Sequence, residues 1–391
     1  MRSVYHRVPR TVWALGFVSM FMDISSEMIH SLLPVFIVSG IGASAAVLGL
    51  IEGVSEATAS ITKVYSGWLS DKLQERKLLT LIGYGISAVT KPIFPFASTS
   101  FEVLCARFAD RVGKGVRGAP RDALIADVTP KEHRGAAYGL RQSLDTVGAV
   151  AGPIAAIALM MLYGGDMRAV FGWAVVPAAV AVAVLFWGVK EPAAIAGTAV
   201  KTGVPHFREW RAFGPSFWSV VFVGGVFSLA RFSEAFLLLR VQEVGLDIAL
   251  VPIVLVVMNT VYALASAPAG RWSDTVDRRV LLALGLVVLI LADLVLASVG
   301  RVEGVLLGSA LWGLHMGLTQ GLMSALVADA APVDLRGTAF GIFNLVTGFA
   351  LLAASVVAGA LWTAFGAEWT FLTGATLALL SIASIVLVSR R

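Results

Sequence analysis

Apolar residues run through this chain in long stretches that short polar segments separate. A transmembrane helix needs about 20 consecutive apolar residues, and most of the stretches reach that length. We therefore predict twelve membrane-spanning helices. Their approximate bounds are 12–38, 46–69, 78–98, 102–122, 137–163, 169–189, 214–239, 249–270, 280–299, 303–326, 339–363 and 369–389.

The fourth stretch differs from the others because charged and apolar positions are interleaved along it. On an α-helix, at about 100° per residue, six of its charged side chains fall within roughly a 120° arc. Each charge costs about 2.5–3.5 kcal/mol at the centre of a bilayer unless it is paired or hydrated. The pattern indicates either a helix facing a polar cavity or a solvated loop helix. The six are Arg107, Asp110, Arg111, Lys114, Arg117 and Arg121.

The connecting segments alternate between rich and poor in Lys and Arg. One set, which includes the N-terminus, holds most of these residues, and the opposite loops hold only Arg168, Arg240 and Arg301. This asymmetry predicts that both termini are cytoplasmic, which requires an even number of spans and makes the fourth stretch a crossing helix. The first apolar run is too long for a cleaved signal peptide.

Composition agrees with a polytopic, all-α protein of the cytoplasmic membrane. Of the 391 residues, 58% are hydrophobic and 14% are charged, whereas about a quarter are charged in soluble domains. The net charge of +5 reflects membrane orientation rather than nucleic-acid binding, because the basic residues lie in short loops. A single cysteine, Cys105, excludes an intramolecular disulfide and a thiolate metal cluster. We predict no cofactor and a functional monomer.

The chain repeats itself at an offset of 202 residues. Segment 123–139 returns as segment 325–341 with nine of 17 positions identical. A second match relates Gly67 and Asp71 to Gly270 and Asp274 at an offset of 203, and Arg76 to Arg278 at an offset of 202. We predict two six-helix halves, 1–190 and 212–391, joined by a cytoplasmic linker at 191–211, with a substrate path between the halves near the midplane.

Three motifs resemble those of the major facilitator superfamily. The first loop is similar to its G-x-x-x-D-[RK]-x-G-[RK]-[RK] signature through Gly67, Asp71, Lys72 and Arg76, with Gln74 and Glu75 as departures. The fourth span loosely resembles an Arg-and-Gly motif of proton-linked members through Arg107 and Gly113. The fifth span resembles an antiporter-type motif, although Ala156 and Ile157 stand where two glycines are usual. Its matching residues are Gly139, Gly148, Gly152 and Pro153.

The resemblance implies a twelve-helix transporter that works by alternating access. Asp71, and Asp274 in the second half, would each pair with a base on a neighbouring helix or loop in the outward-open state. Breaking that contact would favour inward opening. The motif of the fifth span favours export by antiport.

Carboxylates on shared helix faces are the candidate proton carriers. Asp23, Glu27 and His30 share one face of the first span, and Glu52, Glu56 and Lys63 share one face of the second. Asp145 adds a carboxylate on the fifth. Asp23 and Glu27 are the first candidates, because like charges one turn apart make each carboxylate easier to protonate. The alternative is a buried ion-pair network that stabilises the first half.

The second half has fewer charges. Arg231 and Glu234 are three residues apart and are expected to pair locally, while Trp312 and His315 form a candidate pair one turn apart. Other candidate cavity residues, each more typical of helix packing, are Asn259, Tyr262, Asp293, Gln320 and Asn344.

We therefore expect a secondary transporter of a small solute, most consistent with proton-coupled efflux. The cationic fourth span favours the alternative, uptake of an anionic organic solute. Methionines near His30 suggest metal-ion transport, but the chain has no closely spaced histidine pair and no His-rich loop. A membrane enzyme or channel is the remaining class, for which no catalytic motif is present.

Overall fold

A computed structural model of the chain describes residues 8–73, 75–190, 213–273, 275–332 and 335–389. The predicted linker and Asp274 lie outside these ranges, and so do the side chains of Asp71, Lys131, Ser324, Arg336, Gly337, Val388 and Ser389. Within the described ranges the chain is helical and contains no strand, which confirms the predicted all-α class.

Twelve helical spans follow one another along the described residues, as predicted. They are α1 (Arg10–His30, continued by Leu33–Val35 and a π-helical Phe36–Gly40), α2 (Ala45–Leu73), α3 (Arg76–Thr90, continued by a 3-10 turn at Lys91–Phe96), α4 (Ser100–Val128), α5 (Arg134–Leu162), α6 (Met167–Trp173 and Val175–Gly188), α7 (Pro215–Leu229 and Ala235–Glu243), α8 (Ile253–Trp272), α9 (Arg278–Ser298), α10 (Val302–Thr319 and Leu322–Ala330), α11 (Arg336–Phe365) and α12 (Ala367–Ser389).

Eight of these spans are long and apolar enough to cross a bilayer by length and composition: α1, α3, α5, α6, α8, α9, α11 and α12. The other four carry charges or are interrupted. Among them, α4 begins at Ser100 because Thr99 and Glu102 form a capping box. Glu102 Oε2 accepts hydrogen bonds from the backbone N–H groups of Ser98 and Thr99, and such caps stabilise a helix start by about 1 kcal/mol.

The chain divides into two compact units. Unit 1 consists of Met1–Ser31 and Thr58–Val204, and unit 2 consists of Leu32–Ala57 and Pro205–Arg391. The division is not a single cut, because the end of α1 and the first half of α2 belong with unit 2. There, Gly49 and Gly53 of α2 pack against Ser355 and Leu352 of α11. The two six-helix halves with bounds 1–190 and 212–391 therefore stay a prediction.

Each unit uses the same set of helix pairs. In unit 1, α1 packs against α5 and α6, and α3 packs against α4 and α6. In unit 2, α7 packs against α11 and α12, and α9 packs against α10 and α12. Small residues permit this close packing. Gly83 meets the backbone of α4 at Gly113 and Arg117, and Gly285 in the equivalent place meets Thr319 of α10.

Among the interrupted spans, the seventh and the tenth have breaks that include polar residues. The seventh, predicted as 214–239, loses helical geometry between Leu229 and Ala235, and the tenth, predicted as 303–326, breaks between Thr319 and Leu322. Gly321 has a φ of 131°, a left-handed value that favours glycine. Discontinuous helices are the places where transporters expose backbone groups to polar ligands.

Candidate functional site

Two glycines bring α1 and α5 into direct contact. A Cβ atom on Gly148 would lie 2.5 Å from the carbonyl oxygen of Met20, and one on Gly152 would lie 2.7 Å from Cβ of Glu27. A side chain at either position would therefore push the helices apart. Gly139, in the same motif, has no atom within 4 Å of such a Cβ. Pro153 is buried next to Gly152 in α5.

This close approach places the carboxyl groups of Asp23 and Asp145 within hydrogen-bonding contact of each other. A carboxylate has no hydrogen to donate, so a hydrogen bond between two carboxyl groups requires a proton on one of them. The sequence paired Asp23 with Glu27 on one helix. The structure instead gives Asp23 a partner on α5, and the carboxylate of Glu27 lies 3.5 Å from Nδ1 of His30.

Cations of α4 and α5 surround this carboxyl pair, so that a proton and a basic side chain can compete for the same carboxylate. Arg141 lies 3.5 Å from Asp145, one turn along α5, and Arg121 acts electrostatically on Asp145. Lys114 is exposed and lies within electrostatic range of Asp23, Glu27 and Asp145.

A second ionic contact is fully inside unit 1. Lys91 Nζ lies 3.0 Å from Asp110 Oδ1, and only 2% and 4% of the two side chains are exposed. The same ammonium group donates to Ser26 Oγ at 3.0 Å. Lys91 was not among the residues predicted from the sequence, although a single lysine inside an otherwise apolar predicted span was a visible signal.

The remaining basic residues of α4 differ in their surroundings. Arg117 donates to Ser87 Oγ and its guanidinium lies 4.7 Å from the ring centroid of Tyr84. Arg121 donates to Ser19 Oγ at 3.1 Å and to Asp122 Oδ1 at 3.1 Å. Most of the predicted stripe therefore lies against neighbouring helices. Arg107 and Arg111 are also buried.

In unit 2, the break in α7 carries a smaller polar cluster. Ser233 donates to Glu52 of α2 at 3.2 Å. Arg231, in the same break, interacts electrostatically with Glu234, Glu56 and Tyr262. Lys63, which the sequence placed on one face with Glu52 and Glu56, is exposed and belongs to unit 1.

The predicted pair on α10 lies in an aromatic interior of unit 2. Trp312 and His315 are completely buried. The ring of Trp312 lies 5.3 Å from that of Phe232, and Nδ1 of His315 lies 2.7 Å from the carbonyl oxygen of Gly285. Asp293 of α9 is also completely buried, and neither carboxyl oxygen has a hydrogen-bond partner among the described residues.

The arginine of each loop motif forms an ion pair with an aspartate at the end of a neighbouring helix. Arg76 at the start of α3 lies 2.6 Å from Asp127 at the end of α4, and Arg278 pairs with Asp329 at the equivalent ends of α9 and α10. Because both residues of each pair are offset by 202, the contact itself repeats. The proposed contacts of Asp71 and Asp274 lie outside what the structure describes.

The glycines of these loops make few contacts. A Cβ atom on Gly67 would lie 3.4 Å from Ala119 of α4, whereas one on Gly270 would meet no atom within 4 Å. Lys72 extends over the ring of Trp68, 5.2 Å from its centroid.

These features belong to a multi-pass membrane transporter, and comparison with known proteins identifies its family. The profile of the Major Facilitator Superfamily matches residues 15–258 and 220–391. An uncharacterized MFS-type transporter of Methanocaldococcus jannaschii is 31% identical over 381 residues, covering 95% of this chain and 93% of that protein. The chain therefore belongs to the Major Facilitator Superfamily, as its motifs suggested.

More distant relatives share the fold. The glucose transporter GlcP of Staphylococcus epidermidis is 23% identical over 392 residues, covering 89% of this chain and 84% of that protein. A POT family transporter solved with a thioalcohol-conjugated peptide has a TM-score of 0.82 at 12% identity, covering 99% of both chains. A bacterial homolog of the human lysosomal transporter Spinster, solved facing inward and unoccupied, has a TM-score of 0.77 at 15% identity, covering 97% and 96%.

Proposed function

We propose that this transporter is driven by protons and that the Asp23–Asp145 carboxyl pair is its proton-binding site. The observation that carries the proposal is the close approach of α1 and α5, where a Cβ atom on Gly148 would lie 3.0 Å from Cβ of Asp23, because it allows a hydrogen bond between these two carboxyl groups. That bond requires one shared proton, and its loss leaves two negative charges in contact. Buried acidic residues inside a membrane protein commonly mark such ion pathways.

Nearby cations can replace the proton as partners of the two carboxyl groups. When the shared proton leaves, the two carboxylates repel each other and attract Lys114, Arg121 and Arg141. The exposed Lys114 is the member with most freedom to move toward them. Protonation and cation pairing then stabilise different arrangements of α1, α4 and α5, and a difference of a few kcal/mol is enough to shift a two-state transporter.

Export is the direction we propose, with the protein in the cytoplasmic membrane as a functional monomer and both termini inside. The antiporter-like glycines of α5 support export, because Gly148 and Gly152 create the contact that holds the carboxyl pair. The excess of basic residues in alternate loops supports the orientation. Uptake of an anionic solute has less support, because Lys91, Arg117 and Arg121 already have partners within the protein. These partners are Asp110, Ser87, Ser19 and Asp122.

The first step of the test is a thermal-shift screen of the purified protein against organic anions, organic cations and divalent metals at two pH values. The stabilising compound is then used in proteoliposomes, where we compare uphill flux driven by a pH gradient with exchange flux at equal pH. Asp23→Asn and Asp145→Asn should each abolish the gradient-driven flux and preserve exchange, because a neutral amide keeps the shape of the pair and cannot release a proton.

Asp166→Asn is the matched control, since Asp166 is an exposed helix cap whose function asparagine also fulfils. Its flux should equal that of the unmodified protein. Gradient-driven flux that persists at full rate in both Asp23→Asn and Asp145→Asn would refute the proton-carrying role of the pair.

A further inference from the structure

Unit 2 contains a cavity at the end where α7 and α9 begin and where α12 ends. Its volume is about 400 Å³, which lies within the range of pockets that hold small organic ligands. The four helices that enclose it are α7, α9, α10 and α12, all of unit 2. The proton-binding pair lies in unit 1, so this cavity is separate from the proposed coupling site.

The lining combines an apolar floor with a small polar patch. Most of the lining side chains are aliphatic, such as Val220, Leu282 and Ile385. The lining residues with polar side chains are Ser216, Ser219 and Arg279. Arg279 is the one charged residue among the lining residues that the structure describes, so the cavity is complementary to an anion joined to an apolar group.

The surface next to the cavity is suited to contact with lipid. Val280 follows Arg279 on α9 and is 58% exposed, and Leu387 lies two residues beyond Ile385 on α12 and is 66% exposed. Exposed aliphatic side chains on membrane-spanning helices face acyl chains. Lipid acyl chains therefore contact α9 and α12 within one helical turn of residues that line the cavity, which places lipid close to it.

We propose that this cavity binds an anionic phospholipid, with the phosphate group at Arg279 and the beginning of one acyl chain on the aliphatic floor. Basic pockets between transmembrane helices are known to hold anionic headgroups. The planar guanidinium provides paired donors for phosphate oxygens, and the two serine hydroxyls add further donors. Under the orientation proposed above, the lipid comes from the cytoplasmic leaflet, although binding itself does not depend on that orientation.

The proposal is tested by lipid titration of purified protein in a neutral detergent, with thermal stability and native mass spectrometry as readouts. Phosphatidylglycerol should raise the melting temperature and remain bound as a discrete adduct, whereas phosphatidylcholine should do so much more weakly. Arg279→Gln should raise the half-maximal phosphatidylglycerol concentration about tenfold, which is the effect of losing one charge-assisted contact.

Two further variants separate the cavity from general surface charge. Arg271→Gln is the matched control, because Arg271 is an exposed arginine in the last turn of α8 and does not line the cavity. It should leave the titration unchanged. Ser219→Leu fills the cavity without changing its charge and should weaken binding severalfold.

The outcomes that would overturn the proposal are equal losses in Arg279→Gln and Arg271→Gln, or an unchanged titration in Ser219→Leu. Inorganic phosphate provides the remaining comparison. If phosphate alone reproduces the stabilisation and displaces no lipid adduct, the site binds a free anion and not a phospholipid. Arg279→Lys, which keeps the charge but loses the paired donors, should give an intermediate titration and serves if Arg279→Gln folds poorly.

Discussion

The helix pair α3–α4 of unit 1 and the pair α9–α10 of unit 2 have the same frame, by which we mean a terminal ion pair and a glycine at the point of close approach. Their buried side chains differ. In each pair, an arginine at the start of the first helix contacts an aspartate at the end of the second helix. The contacts are Arg76–Asp127 in unit 1 and Arg278–Asp329 in unit 2. Each has a glycine at the equivalent point of close approach. These frame residues recur at an offset of 202.

The interiors diverge at the positions of the buried ion pair. Lys91 and Asp110 of unit 1 correspond at the same offset to Asp293 and Trp312 of unit 2. The position of Asp110 is thus ionic in unit 1 and aromatic in unit 2, where Trp312 packs against Phe232 and Phe232 packs against Phe371. Because both interiors occur within one frame, the fold does not require the charges of α4. This difference strengthens the functional interpretation of the unit 1 network over a purely structural one.

The largest expected effect comes from neutralising the buried aspartates Asp110 of unit 1 and Asp293 of unit 2 in turn, which tests whether the two interiors differ. Asp110→Asn should lower the free energy of unfolding by about 3–5 kcal/mol, because it leaves the buried Lys91 without its counter-charge. Asp293→Asn should change it by about 1 kcal/mol or less, because neither carboxyl oxygen has a hydrogen-bond partner among the described residues. Denaturation in detergent measures both.

A double variant provides the control for this experiment. Replacing Lys91 by Met together with Asp110→Asn removes both charges and should recover part of the lost stability. Equal destabilisation by Asp110→Asn and Asp293→Asn would mean that the two interiors do not differ in the way we describe.

The next largest effect is expected at the contact between α1 and α5. Gly148→Ala should cost about 1–3 kcal/mol through overpacking, since its Cβ would lie 2.5 Å from the carbonyl oxygen of Met20. Gradient-driven flux should fall with it, because the substitution separates Asp23 from Asp145. Gly139→Ala, in the same motif and with open space around it, should be neutral. A similar loss in both variants would argue against helix proximity as the cause.

The smallest effect is expected at the ion pairs that frame both units. Arg76→Gln should cost about 1 kcal/mol and Arg278→Gln less, because exposed pairs contribute little. The side chains of Arg76 and Asp127 are 16% and 29% exposed, whereas those of Arg278 and Asp329 are 34% and 65% exposed. Double-mutant cycles at low and high salt measure each coupling, which salt should screen more strongly in unit 2. A larger coupling in unit 2 would contradict the ranking by exposure.

The fold was predictable because its signals are long and repeated. Eleven long apolar stretches, the alternation of basic loops and the match between 123–139 and 325–341 each indicate the same architecture. The charged α4 was placed correctly across the membrane by counting the spans rather than by its hydropathy. Its actual bounds are Ser100–Val128. The helix begins two residues before the predicted start because of the capping box, and it continues six residues beyond the predicted end.

The contacts of the site were less predictable because they depend on how helices rotate against one another. Periodicity places Asp23 and Glu27 on one face of α1. The partner of Asp23 is nevertheless Asp145, because the glycines of α5 allow α5 to pack closely against α1. Lys91 was missed because one lysine at the end of an apolar run has little influence on a hydropathy average. The breaks in α7 and α10 arise from local backbone geometry that an apolar run does not reveal.

The break at Gly321 also gives the two repeats different mechanical properties. In α4 the helix is continuous from Ser100 to Val128, with Pro120 inside it. In α10 the corresponding stretch consists of two helices, Val302–Thr319 and Leu322–Ala330, and Gly321 between them has a φ of 131°. We therefore expect a displacement at the Val128 end of α4 to be transmitted along the helix, and one at the Ala330 end of α10 to be absorbed at the break.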